Sequence, residues 1–232
     1  AASSRLGGNP GGPDRGEVPP PGSVVINEVL AHTDSSPVGD WIELHNTTAA
    51  DLDLSGWWLS DSNAEPYKYR ILDGTVLPAG GFIVFNTTNH FGAPGVSNAF
   101  SLSEYGEQVV LSSAWDEFGN PTGYRDVRTF GATDRETTIG RYVRSDGREV
   151  FVIQKSPTPG GPNSGPRVGP IVISEILYAP TGAVPEHVEF YCLAPTNVPL
   201  YDPSAPTNRW RFRGVGTFVF PSGAVARAFD SF

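Results

Sequence analysis

Three glutamates stand where a buried strand would normally carry none. The run VVINEVL, Val24 to Leu30, holds Glu28 among aliphatic and β-branched residues. The run DWIEL adds Glu43, and IVISEIL, Ile171 to Leu177, repeats the first pattern with Glu175. Glutamate is depleted in strands, so its recurrence in these runs asks for a chemical reason. Two carboxylates flanking a cleft, one with a raised pKa, can run glycoside hydrolysis. That use needs both side chains to face one cleft. A carboxylate removed from water otherwise needs a partner. The second candidate chemistry is calcium. Asp51, Asp53, Asp61 and Asn63 offer oxygen ligands in the stretch DLDL followed by DSNAE. The stretch lacks the glycine and terminal bidentate Glu of an EF-hand loop. The four histidines, His32, His45, His90 and His187, show no close metal-ligand spacing. The sequence has no Gly-x-Ser-x-Gly elbow and no phosphate-binding Gly-Lys-Ser/Thr loop.

The elements that must hold these residues read as all-β. Short apolar or alternating runs are separated by Ser-Pro, Asp-Gly and Gly-Asn-Pro turn chemistry. They predict strands near Val24–Ala31, Asp40–Asn46, Gly56–Ser60, Lys68–Leu72, Gly81–Asn86, Gln108–Ser112, Tyr124–Phe130, Ile139–Val143 and Glu149–Ile153. Pro/Gly-rich stretches at 1–23 and 156–170 read as linkers bounding a sandwich over 24–155. From Ile171 the pattern starts again: IVISEIL matches VVINEVL, EHVEF matches DWIEL, Trp210 matches Trp57, and Pro221 matches Pro78. The span 171–232 is therefore expected to be a partial, truncated second repeat. The net charge of -9 disfavours nucleic-acid backbones, which need clustered cations. No stretch approaches the roughly 20 apolar residues of a membrane span. The single cysteine, Cys192, allows no intrachain disulfide. With no methionine, even at position 1, the chain reads as an internal piece of a longer protein.

Alternation assigns faces. Ile42 and Leu44 share the core face, so Trp41, Glu43 and His45 point away from it. Trp57 is expected in the core, and Trp58 at least partly exposed, where its ring could hold a sugar or a protein. Trp41 and Trp58 are thus the candidate ligand-binding residues. In the first strand, strict alternation buries either Asn27 or Glu28 whichever face is chosen.

The motifs VVINEVL, DWIELHN, DLDLSGWWLSD and LPAGGFIVF, closed by TTIGRYVRSDGREVFV and PTPGGPN, resemble the lamin tail domain of bacterial extracellular proteins. The resemblance implies an immunoglobulin-like β-sandwich serving as a binding or interaction module. It implies an extracellular or cell-surface setting, and a larger protein whose other parts can include a spore-coat CotH-like kinase or a hydrolase. A purely structural spacer is the other reading. The family's closing Gly-Arg motif is Gly140-Arg141 here, and the expectation is a structural ion pair between Glu28 and Arg141, whose fork suits a carboxylate. The expected function is non-catalytic, with a protein or polysaccharide ligand, no nucleic acid, and no cofactor unless calcium binds the acidic loops.

Overall fold

A computed structural model describes residues 19–34, 39–116, 119, 121–181, 185–214 and 216–232. Most of the linker expected at 1–23 lies outside them. The chain forms two compact units, residues 1–167 and 168–232.

In the first unit the strands are β1 (Val24–Leu30), β2 (Trp41–Asn46), β3 (Leu52–Asp53), β4 (Trp58–Ser60), β5 (Tyr69–Arg70), β6 (Val76–Leu77), β7 (Phe82–Asn86), β8 (Gln108–Ser112), β9 (Arg125–Thr129), β10 (Ile139–Val143) and β11 (Glu149–Ile153). One π-helical turn, Thr87–Phe91, follows β7. A five-stranded antiparallel sheet runs β11-β10-β1-β2-β7, and a four-stranded sheet runs β5-β4-β8-β9. The short pair β3-β6 stands between them in sequence. The fold is an immunoglobulin-like β-sandwich. Val24, Ile26, Val29, Ile42 and Leu44 of one sheet meet Leu59, Tyr69, Val109 and Leu111 of the other in a single core with Trp57. Burying such side chains contributes roughly 1.5–3 kcal/mol each before chain entropy is subtracted.

A β-bulge resolves the polarity conflict in β1. Ile26 pairs with Leu44 and Glu28 with Glu43, so Asn27 is an extra residue without a partner on β2. An extra residue on one strand shifts the alternation by one position. Val24, Ile26, Val29 and Ala31 therefore all reach the core, while Asn27 and Glu28 turn to the opposite face. Strict alternation was the wrong expectation here, because it allowed no change of phase within the strand.

Only the second half of β1 pairs with β10, at Glu28 with Gly140 and Val29 with Ile139. The backbone of the first half is satisfied from the facing sheet. The Tyr124 hydroxyl accepts from the N–H of Gly22 and Val24 and donates to the Val24 carbonyl at 2.6 Å. The Asp126 carboxylate accepts from the Ile26 N–H at 2.8 Å.

The Pro/Gly-rich stretch from Ser156 to Asn163 is not a linker, which corrects the sequence reading. The chain folds back after β11, with Lys155 N–H bonded to Gly165 and Arg167 N–H to Ile153. Thr158 and Gly160 then donate to buried carboxylates of the first unit. Proline and glycine here shape a tight strap whose polar groups face inward, a use that composition alone does not distinguish from a solvated linker.

The second unit holds β12 (Ile171–Leu177), β13 (His187–Cys192), β14 (Val198–Pro199), β15 (Tyr201–Asp202), β16 (Ala205–Arg209), β17 (Arg211–Arg213), β18 (Thr217–Val219) and β19 (Val225–Ala226). They form two-stranded sheets around a small core of Cys192, Leu200, Phe220 and Ala226. Strand β12 pairs with β13 with a shift at Ser174, so Glu175 faces Glu189 as Glu28 faces Glu43. Leu200 N–H bonds Ala224 as Leu54 bonds Thr75, and Phe220 N–H bonds Trp210 as Ile71 bonds Trp57. These bonds set Pro221 against Leu72 rather than Pro78. They set Phe229, at φ 53, against Gly80, at φ 62. The match of Pro221 with Pro78 is corrected accordingly.

Candidate functional site

Two places concentrate chemistry in the first unit: a buried carboxylate pair and an exposed aromatic cluster.

The pair is Glu28 and Glu43, cross-strand neighbours on the outer face of the five-stranded sheet. Both are 0% exposed, because the strap from Thr158 to Asn163 covers that face. Glu28 accepts from the Thr138 hydroxyl at 2.5 Å, and from the Thr158 N–H at 3.1 Å and hydroxyl at 2.7 Å. Glu43 accepts from the Asn27 amide at 2.7 Å and the Gly160 N–H at 2.5 Å. Asn163 closes the set: its side chain accepts from Asn27 and donates to the carbonyls of Asn27 and Arg141. Gly140 is required by this packing, since a Cβ there would lie 2.8 Å from the Asn163 amide nitrogen and 3.1 Å from the Asn27 carbonyl. Burial pushes Glu43 up to about 7, and the nearby Glu28 adds to the rise, against the bonds from Gly160 and Asn27.

One raised carboxylate beside another is the pattern of an acid–base pair. Here the strap seals both from solvent, and their oxygens are taken up by the protein's own donors. Glu43 does point away from the core as alternation requires, but the strap makes that face an interior.

Glu28 does not pair with Arg141, which is a correction. Gly140 sits opposite Glu28, so Arg141, the next residue, projects from the other face of β10. Its guanidinium pairs with Glu149, which also receives Arg128. Neutral donors, two threonine hydroxyls and a backbone N–H, take the place expected for the cation. Trp41 is buried, which removes it as a ligand-binding surface. The calcium candidates are not gathered. Asp51 accepts from Ala79 N–H, Asp53 from Ser55, Asp61 from Lys68, and Asn63 from Arg125. Among the described residues no three His, Cys, Asp or Glu side chains form a metal-binding group.

The second place is built around Trp58, half-buried on β4. Its ring lies 5.9 Å from Tyr67, edge to face, and 5.7 Å from Trp115, tilted by 35°. Tyr67 meets Trp115 edge to face at 5.4 Å. Arg125 on β9 lies over the Tyr67 ring, its guanidinium carbon 5.9 Å from the centroid, and bonds the Asn63 side chain. Trp115 remains 46% exposed. The outer face of the four-stranded sheet thus presents three linked rings beside the Arg125 guanidinium, with Arg70 paired across from Trp58 on the same face. A surface depression of about 630 Å³, lined by Glu65, Pro66, Tyr67, Lys68 and Asn98, adjoins Tyr67. Tyr67, Trp115 and Arg125 were missed in the sequence because they come from separate loops and strands with no shared spacing.

The Lamin Tail Domain family model matches residues 17–138, just over half of the 232-residue chain. The chain belongs to the lamin tail domain family. No curated protein and no solved structure matches it. Lamin tail domains are immunoglobulin-like, non-enzymatic modules, in keeping with the sealed carboxylates. The match ends one residue before β10, yet β10 and the strap complete this lamin tail domain by covering the edge of β1 and both glutamates. No helix among the described residues is long and apolar enough to cross a membrane.

Proposed function

We propose that this lamin tail domain is a non-catalytic binding module of a larger bacterial protein, displayed outside the cell or on its surface. Its ligand docks on the Trp58, Tyr67 and Trp115 cluster. The observation that carries this reading is the exposure of Trp115 at the head of a packed aromatic group beside Arg125. A tryptophan left in water beside a finished core adds little to folding. Trp, Tyr and Arg are the residue types that dominate binding hot spots. That composition favours a protein surface as ligand. A polysaccharide engages the same Trp115 ring through one sugar face. The bacterial and extracellular setting is supported by the motif resemblance.

The test is a binding screen of residues 19–167 against extracellular protein fractions and a glycan array, with Trp115→Ala as control. Saturable binding lost in Trp115→Ala, at unchanged melting temperature, supports the proposal. Absence of any ligand in both screens makes the unit a structural spacer and overturns it.

A further inference from the structure

In a chain with 25 Asp and Glu against 16 Lys and Arg, an arginine has carboxylates in excess to choose from. Among the described residues of the first unit, every arginine but one pairs with a carboxylate, from Arg70 with Asp73 to Arg167 with Asp134. The exception is Arg125. It donates to the Asn63 side-chain oxygen at 3.2 Å and to the Tyr67 hydroxyl at 3.4 Å, both neutral, and it is exposed. A guanidinium carries five N–H donors, so these two bonds leave others for a ligand. The sheet fixes its place. Arg70, Trp58, Ser112 and Arg125 stand opposite one another in one row across β5, β4, β8 and β9. Directly opposite residues share a face. Tyr67 packs on this row, 5.4 Å from Trp115 and 5.9 Å from the Arg125 guanidinium carbon. One ring therefore touches both an exposed tryptophan and a cation without a described counter-charge.

We propose that the ligand of this cluster is an extended acidic segment of a partner protein, which lays an apolar side chain on Trp115 and an aspartate or glutamate on Arg125. The proposal rests on the reading of the cluster as the ligand site and names the chemistry of its occupant. Arg125 takes the carboxylate through the N–H groups left over by Asn63 and Tyr67, in charge-assisted bonds that its planar fork suits. Side chains two residues apart on an extended segment share a face and lie roughly 6.5–7 Å apart, a step of the same order as the ring spacings here. The rings themselves favour a side chain over a sugar chain. Trp58 and Trp115 are tilted by 35°, and Tyr67 and Trp115 by 86°, so they make a cornered surface rather than a flat stacking platform. Specificity comes from the cation: a lysine at that position of the segment meets like charge, and an amide forgoes the charge-assisted bond.

The test uses the full 232-residue chain and an array of short peptides in which Phe or Leu alternates with Asp, Glu, Asn, Gln or Lys. The best-bound acidic peptide and its amide isostere are then titrated by fluorescence anisotropy against wild type, Trp115→Ala, Arg125→Gln and Arg125→Lys. The expected result is selective retention of acidic peptides, lost in Trp115→Ala, with affinity falling about fivefold or more when the carboxylates become amides. That acid–amide difference should vanish in Arg125→Gln and return in part in Arg125→Lys. Circular dichroism checks the folds, and the carboxylate-to-amide change in the peptide reads the same contact without altering the protein. Acid and amide peptides that bind alike, or lysine peptides that bind best, in a manner lost in Trp115→Ala, leave the cluster a ligand site and overturn the acidic occupant. So does an acid–amide difference that persists in Arg125→Gln. Polygalacturonate bound in place of every peptide, and released by Arg125→Gln, makes the occupant an anionic polysaccharide and overturns the peptide. Retention of no peptide overturns it as well, and the wider screen proposed above then decides separately whether the cluster binds anything.

Discussion

Replacing Thr158 by valine should loosen the strap that closes the first unit. The substitution keeps the shape and β-branching of the side chain and removes one hydroxyl. That hydroxyl donates at 2.7 Å to Glu28, a carboxylate with no access to water. A hydrogen bond to a charged group contributes about 1.5–3 kcal/mol. Thr158 is half-exposed, and its N–H still reaches Glu28, so the lower end applies, about 1.5–2 kcal/mol. For a domain of this size each kcal/mol moves the melting temperature by roughly 2–4 °C, giving a fall of about 3–8 °C. Thr138→Val removes a donor that is itself fully buried, so it should cost at least as much. Because both donors serve one carboxylate, the double variant should be non-additive by about 0.5 kcal/mol or more. Calorimetry of the four proteins reads all three quantities, and hydrogen exchange should show the Gly160 and Gly161 amides opening first in Thr158→Val. A melting temperature within about 1 °C of wild type would refute the reasoning, since the loss argued above is several times larger.

Other expectations are smaller in scope. Arg141→Ala should cost only about 0–1 kcal/mol, because its partner Glu149 is partly exposed and shared with Arg128; a loss above about 3 kcal/mol in calorimetry would restore the buried ion pair with Glu28. Glu43 titrates near 7 in the fold, against 4.5 unperturbed. Its raised pKa contributes stability below pH 4.5 that is lost as pH rises through about 7. Wild type should therefore lose about 3 kcal/mol relative to Glu43→Gln between pH 4.5 and 8, read from paired urea unfolding curves, with the histidines cancelling in the difference. A difference that does not change with pH would place the titration elsewhere. Tyr124→Phe strips the Val24 N–H and carbonyl of their buried partner and should cost about 1–3 kcal/mol in the same assay.

The sequence made the sandwich legible because alternation and turn chemistry act locally. Ile42 and Leu44 fall in the core as β2 requires, and Trp57, just before β4, joins them. The bulge at Asn27 was not legible, since an added residue leaves no mark in a single strand; it shows only in pairing. The carboxylate cradle was half legible. A glutamate amid valines announces that something must satisfy it, but a threonine hydroxyl 130 positions away does so without a charge to betray it. The aromatic cluster joins residues from 58 to 125, and only the folded sheet brings them together.

The most direct measurement compares ligand binding in wild type, Trp115→Ala and Thr158→Val on the first unit at a temperature where all three are folded. Trp115→Ala should lose binding at unchanged stability, while Thr158→Val should lose stability at unchanged affinity. Binding that survives Trp115→Ala and disappears with Thr158→Val would put the functional surface at the strap and contradict its assignment to the aromatic cluster.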